Sequence, residues 1–141
     1  MVKLKDQIQI LDFPDLGDER GNLVVVEGND VIPFDIKRIF YIYGSDSEVV
    51  RGCHANLRSE FVMINVSGTS KVKVDNGHEI QVIELNRPRM GLYLPNNLWK
   101  EMYDFSPDSV LLVLSNEHYD PEEYIRDYDS YLQLVREQDG R

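Results

Sequence analysis

The sequence predicts an all-β sandwich or barrel carrying a single C-terminal helix, and three observations predict it. Between Gln7 and about Asn116, short β-type runs recur about every 8 to 12 residues, with turn residues filling the gaps. No segment within that stretch carries the period of an amphipathic helix. After Asp120 the apolar residues return every three or four positions, as they do on one helical face.

Taken in order, the expected strands are 7–11, 23–27, 38–43, 51–54, 61–67, 69–75, 78–85, 91–94, 99–105 and 109–114. In 69–75, Val72 and Val74 face one way and Lys71 and Lys73 the other, the alternation of a half-buried strand. Asp75-Asn76-Gly77-His78 predicts a hairpin, because Asn-Gly adopts the positive φ angles that tight turns require. Ser67-Gly68 and Asn86-Arg87-Pro88 mark two further turns. Asp120-Pro121-Glu122-Glu123 reads as a helix start, with a capping carboxylate, proline at the first position and acids against the positive end of the dipole. Tyr124, Ile125, Tyr128, Tyr131, Leu132 and Val135 then form one apolar stripe, to be packed on the barrel or on a second subunit. The expected organisation is one domain over 1–141, with the β-barrel in 1–116 and the helix in 120–137.

Charge narrows the partners. The formal net charge is −10, with 25 Asp+Glu against 15 Lys+Arg, which excludes nucleic acid and anionic membrane as natural partners. A small anionic ligand remains open, since a few arginines in one cleft create a local positive field. No apolar run approaches the roughly 20 residues of a membrane span. The opening residues MVKLKDQIQILDF carry no long apolar stretch, so a cytoplasmic address is expected. The single cysteine, Cys53, excludes an intramolecular disulfide and is expected to be a small buried filler.

Three histidines limit the candidates for acid–base work. His78 sits in the Asn-Gly hairpin and His118 before the terminal helix, where solvated roles are expected. His54 lies in Arg51-Gly52-Cys53-His54-Ala55-Asn56-Leu57-Arg58-Ser59-Glu60, where His54, Asn56 and Glu60 are spaced to line one face of an extended strand.

Arg-Gly-x-His-Ala-x, followed by Glu60 and Gly68, resembles the first cupin motif, and Gly91-Leu92-Tyr93-Leu94-Pro95 through Lys100 resembles the second. Beyond these motifs, nearly the whole chain resembles the sugar 3,4-ketoisomerases of dTDP-fucosamine and dTDP-quinovosamine biosynthesis. The matching pieces run collinearly through Asp18-Glu19-Arg20-Gly21-Asn22-Leu23, Ile32-Pro33-Phe34-Asp35-Ile36-Lys37-Arg38, Tyr41-Ile42 and the Arg51 segment. They continue through Gly91-Leu92-Tyr93, Trp99-Lys100-Glu101-Met102 and the tail from Tyr119-Asp120 to Asp129. The resemblance implies a jelly-roll cupin barrel that dimerises with exchange of N-terminal strands. It also implies a function: conversion of a dTDP-4-keto-6-deoxy-hexose to its 3-keto isomer, in deoxysugar biosynthesis for lipopolysaccharide or S-layer glycans. No metal and no organic cofactor is expected. A metallocupin needs about three imidazoles and a carboxylate, whereas here Asn56 and Lys100 stand at two of those positions.

Under this resemblance His54 is the proton-transfer base, and Tyr41 and Asn56 join it as catalytic candidates. Tyr41, Tyr43, Arg51 and Lys100 are expected as donors to the sugar and its developing enolate oxygen. Arg51, Arg58, Arg87 and Arg89 are candidates for the diphosphate, each with a solvated surface role as the alternative. Tyr93 and Trp99 are either core residues or walls stacking on sugar or thymine. Glu60 is either a partner of Arg58 or a carboxylate that orients His54. Two positions depart from the family pattern: Asn56 stands where a second histidine belongs, and Lys100 where relatives hold histidine or arginine. Together with the Arg20 position, the latter influences which C4 epimer forms, so the epimer stays open. A non-catalytic nucleotide-sugar-binding cupin is the competing expectation.

Overall fold

A computed structural model describes residues 2–140. A short helical turn, α1 (Leu4–Gln7), leads into β1 (Gln9–Asp12), β2 (Arg38–Tyr43), β3 (Arg51–Asn56), β4 (Phe61–Ser67) and β5 (Ser70–Asp75). The chain continues through β6 (Ile80–Leu85), β7 (Met90–Leu94), β8 (Trp99–Tyr103) and β9 (Val110–Ser115), then β10 (Tyr124–Ile125) and α2 (Tyr128–Asp139). The strands form two antiparallel five-stranded sheets, ordered β1-β7-β4-β9-β2 and β10-β3-β8-β5-β6. This is the predicted all-β architecture with a C-terminal helix. No described helix is long and apolar enough to cross a membrane.

Strand alternation explains the layers. In the first sheet Phe61, Met63, Leu92, Leu94, Leu111 and Val113 point between the sheets, where they meet Val72, Val74 and Met102 of the second. The intervening Val62, Ile64 and Leu114 are also buried, because a second apolar layer covers the outer face. The segment from Phe13 to Ile36 supplies that cover through Phe13, Val24, Val26, Ile32, Phe34 and Ile36. Gly91 makes the approach possible, since a Cβ there would lie 2.7 Å from the Phe13 ring. The outer face of the second sheet is covered by α2, through Tyr131 and Val135 on Ala55 and Trp99.

The structure corrects several expectations. Residues 23–27 pair with no described strand; Val24 and Val26 lean on the outer layer, leaving Leu23 and Val25 exposed. The helix begins at Tyr128, not Asp120. Asp120 does cap Pro121–Glu123, accepting from the Glu122 amide, but only one 3-10 turn follows. Tyr124 and Ile125 leave it to pair with Asn56 and Ala55 of β3, and Asp127 caps α2 anew through the Ser130 amide. Cys53 is exposed instead of buried, with φ +57° in a bulge. His78 is paired with the Asp139 carboxylate at 2.6 Å, so it is more than a solvated turn residue.

Candidate active site

The site starts from an irregularity in β3. The pairing of β3 with β8 shifts register between Gly52 and His54, and Gly52 and Cys53 both take positive φ, +85° and +57°. The bulge sets His54 opposite Lys100, so both side chains leave the same face toward the space between the sheets. Gly52 has no tolerance for a side chain: a Cβ would meet the Lys100 carbonyl at 3.0 Å and the Met102 sulfur at 3.1 Å. Gly52→Ala is expected to cost about 2 kcal/mol from backbone strain and crowding, read as a lower denaturant midpoint, and to weaken activity by displacing His54.

The cavity here holds about 220 Å³; Tyr41, Arg51, His54, Lys100 and Tyr124 supply its polar lining, and Phe40, Ile42, Phe61, Met63 and Met102 the apolar part. That is below the roughly 300–1,000 Å³ of pockets that enclose drug-sized ligands, so it has room for about one small ring. His54 Nδ1 lies 3.0 Å from the Gly52 carbonyl oxygen, an acceptor only, so Nδ1 donates and the Nε2 lone pair is left free. The Tyr124 ring meets the imidazole edge-on at 4.8 Å between centroids.

Burial, and then the positive charge of Lys100, push the His54 imidazole down to about 4. Lys100 itself is 1% exposed. Its Nζ donates to Asn56 Oδ1 at 3.0 Å and to the Leu98 carbonyl at 3.3 Å, and it sits 4.7 Å over the Phe61 ring. Burial draws the amine down to about 7, against the opposing pull of the Glu123 carboxylate.

His54 therefore stays neutral in the fold at pH values where an unfolded chain would protonate it. As pH falls below about 6.5 the unfolded state takes up a proton that the folded state refuses until about 4. Stability is expected to fall across that window, and His54→Gln to remove this part of the loss. Denaturant midpoints of both proteins at pH 7.5 and 4.5 check it.

Not every predicted residue reaches the site. His54, Asn56, Arg51 and Lys100 come together. Tyr41 lines the cavity but is 61% exposed, and it stacks, with centroids 6.2 Å apart, on Tyr43, which is 70% exposed and does not line it. Strand alternation aims Phe40 and Ile42 into the barrel instead. Glu60 neither pairs with Arg58 nor orients His54; it accepts from the Tyr93 hydroxyl and, at 2.9 Å, from Asn116 Nδ2. Trp99 is a core residue, packed against Tyr128 and Tyr131 under α2. Tyr93 is half-buried against Phe34, and it lines a separate cavity of about 480 Å³ bounded by His78, Asn97 and Asp139 that contains no other predicted site residue.

Of the arginines, Arg58 is held by Asp120 at 2.7 Å, Arg87 by Asn86 at 3.2 Å, and Arg89 donates to the Phe13 carbonyl at 3.2 Å. None of these three lines the 220 Å³ cavity. Arg20 is exposed and held by Asp18 at 2.6 Å, also outside it.

Four further residues frame the site: Tyr124 and Phe40 in the cavity lining, Arg38, whose Nη1 donates to the Tyr124 hydroxyl at 3.5 Å, and Glu123. Tyr124 was assigned to the helix stripe, and nothing local announces that it pairs with β3. Phe40 and Arg38 were readable from the alternation around Ile42. Glu123 is buried and accepts from the Arg58 and Ser59 amides at 2.9 and 2.8 Å and from the Ser59 hydroxyl, which holds its carboxyl down although burial alone would raise it. It ties the turn before β10 to the end of β3.

The two-sheet antiparallel architecture is cupin-like, and in its cavity an imidazole and an amine face one another across neighbouring strands. Residues 6–136 match the family described as FdtA, WxcM-like, C-terminal. The curated TDP-4-oxo-6-deoxy-alpha-D-glucose-3,4-oxoisomerase of Aneurinibacillus thermoaerophilus is 41% identical over 127 residues, covering 90% of this chain and 91% of that protein. The crystal structure of a 3,4-ketoisomerase from Helicobacter canadensis superposes with TM-score 0.89 at 42% identity, covering 92% of this chain and 97% of that one. The QdtA sugar 3,4-ketoisomerase from Thermoanaerobacterium thermosaccharolyticum, solved in complex with TDP, gives TM-score 0.91 at 39% identity over 94% and 96% of the two chains. The chain belongs to the FdtA (WxcM-like, C-terminal) family, whose similar members here are sugar 3,4-ketoisomerases.

Proposed function

We propose that this chain is a TDP-sugar 3,4-ketoisomerase that converts a TDP-4-keto-6-deoxy-hexose to its 3-keto isomer through an enediol, without a metal. The observation that carries it is His54: an imidazole with its Nδ1 proton engaged and its Nε2 lone pair free, in a cavity sized for one sugar ring. Nε2 removes the C3 proton, acidified by the C4 carbonyl, and returns a proton at C4. The Lys100 ammonium, 1% exposed, stabilises the oxygen on which charge develops, where low dielectric makes that interaction strong. Asn56 holds Lys100 in place through its Oδ1. Arg51 at the cavity takes the diphosphate. Among the described residues no three His, Cys, Asp or Glu side chains converge, and the polar groups lining the cavity suit proton transfer better than a divalent cation.

A homodimer with exchanged N-terminal strands completes the proposal. Its support is the unpaired, extended segment 23–27 with Leu23 and Val25 exposed, together with the free edge of β2, where Ile39, Tyr41 and Tyr43 are exposed. Exchange would carry Arg20, just before that segment, to the neighbouring subunit's cavity. The exposed, unpartnered Cys53 thiol fits a reducing, cytoplasmic setting.

Incubation with TDP-4-keto-6-deoxyglucose, followed by NMR of the sugar ring, tests the activity: a 3-keto product is expected. Tight binding with no 3-keto product would overturn the reading in favour of a binding module. Light scattering on the eluting protein is expected to give twice the chain mass.

A further inference from the structure

A 3,4-keto transposition moves two protons. One passes from C3 to C4, the other from the C3 hydroxyl oxygen to the C4 oxygen. His54 serves the carbons, and its second nitrogen is committed to the Gly52 carbonyl. Asn56, two residues along the same face, cannot take up and release a proton at neutral pH. Lys100 can. It is the cross-strand partner of His54 and lines the same cavity. Its two acceptors, Asn56 Oδ1 and the Leu98 carbonyl, leave one of three ammonium N–H bonds for a ligand.

We propose that Lys100 is a second catalytic residue, which carries the hydroxyl proton from O3 to O4 while His54 carries the carbon-bound proton from C3 to C4. The inference rests on the isomerase reading above. In the first half, His54 Nε2 takes the C3 proton, the C–H pair becomes the C3=C4 bond, and the C4=O π pair moves to O4. There O4 accepts a proton from the Lys100 ammonium, leaving a neutral enediol, an imidazolium and a neutral amine. In the second half the amine takes the O3 proton, the O–H pair becomes C3=O, and the C3=C4 pair takes a proton at C4 from the imidazolium. Both residues return to their starting states and no co-reactant is consumed.

The His54–Lys100 pair then carries one positive charge throughout, moving from Lys100 to His54 and back, and the two are never cations side by side. The charges around the pair fit this exchange: Lys100, Arg126 and Arg38 add positive potential at His54 and the Glu123 carboxylate adds negative potential at Lys100, so the charge returns to the amine. Burial places the amine at about 7, where loss of the proton is within easy reach.

The test compares wild type with Lys100→Met and Lys100→Ala on TDP-4-keto-6-deoxyglucose. Lys100→Met is expected to be at least about 100-fold slower, with TDP affinity unchanged. Added propylamine is expected to raise the rate of Lys100→Ala at least about tenfold, and propanol to leave it unchanged. A Lys100→Met rate within about threefold of wild type, or a slow Lys100→Ala that propylamine does not rescue, overturns the proposal while the isomerase reading stands. A wild type that forms no 3-keto product overturns both. Should the variants fail to fold, wild type labelled with ¹³C at lysine Cε decides: the Lys100 resonance is expected to titrate near neutrality, and an amine still protonated at pH 9 overturns the proposal.

Discussion

His54→Gln is expected to lower the turnover of TDP-4-keto-6-deoxyglucose by about 10³-fold, within the range for loss of a positioned acid–base group. Glutamine has close to the volume of the imidazole and can still donate to the Gly52 carbonyl, so the bulge at Gly52 and Cys53 is preserved. What disappears is the free lone pair at Nε2 and the ability to hold a proton between two carbons. The nucleotide binds outside the sugar cavity in this account, so calorimetric TDP affinity is expected to stay within about threefold of wild type. A variant that loses both TDP binding and turnover would instead place His54 in ligand recognition.

Tyr131→Ala is expected to carry the largest stability cost, about 3–5 kcal/mol. Tyr131 is fully buried between α2 and the second sheet, and its hydroxyl donates to the Asp75 and Asn97 carbonyl oxygens at 3.0 and 2.8 Å. Its ring packs with Trp99 and Tyr128. Truncation leaves an aromatic-sized void and two carbonyls without their donor. Because α2 and β10 are one continuous piece of chain on β3, the same change should loosen Tyr124 beside His54 and reduce activity more than the unfolded fraction accounts for. Denaturant unfolding gives the stability cost and steady-state kinetics the functional one. Tyr131→Phe should cost far less, since it removes only the hydroxyl.

What the sequence made legible was local. The alternation in β5, the Asn-Gly hairpin and the repeated spacing of short strands each depend on near neighbours, and apart from the run at 23–27 they appear where expected. The continuous apolar run Phe61-Val62-Met63-Ile64 also has a plain physical reason: that strand is covered on both faces, by the barrel core and by Phe13, Ile32 and Phe34. What sequence period could not reveal was partnership at long range. Residues 23–27 look like a strand because they are extended and β-branched, yet no described strand pairs with them. The stripe from Tyr124 to Val135 spans two elements, because Tyr124 and Ile125 gain backbone partners on β3 that a helix could not supply.

At the site, His54 and Lys100 were identified from motif position, and the bulge explains why they face one another. Tyr41 lines the cavity yet points largely outward, and the pattern gives the reason: with Ile42 buried, Phe40 and not Tyr41 shares its face. The arginines are a different case. An arginine's reach is long, and only the structure shows that Arg58, Arg87 and Arg89 already have partners elsewhere.

The most direct measurement is the rate at which deuterium from D₂O enters C3 of TDP-4-keto-6-deoxyglucose, followed by NMR for wild type and His54→Gln side by side. Exchange is predicted at a rate matching or exceeding turnover in the wild type, and to be at least about 10³-fold slower in the variant. Undiminished C3 exchange in His54→Gln would contradict the assignment of that imidazole as the base.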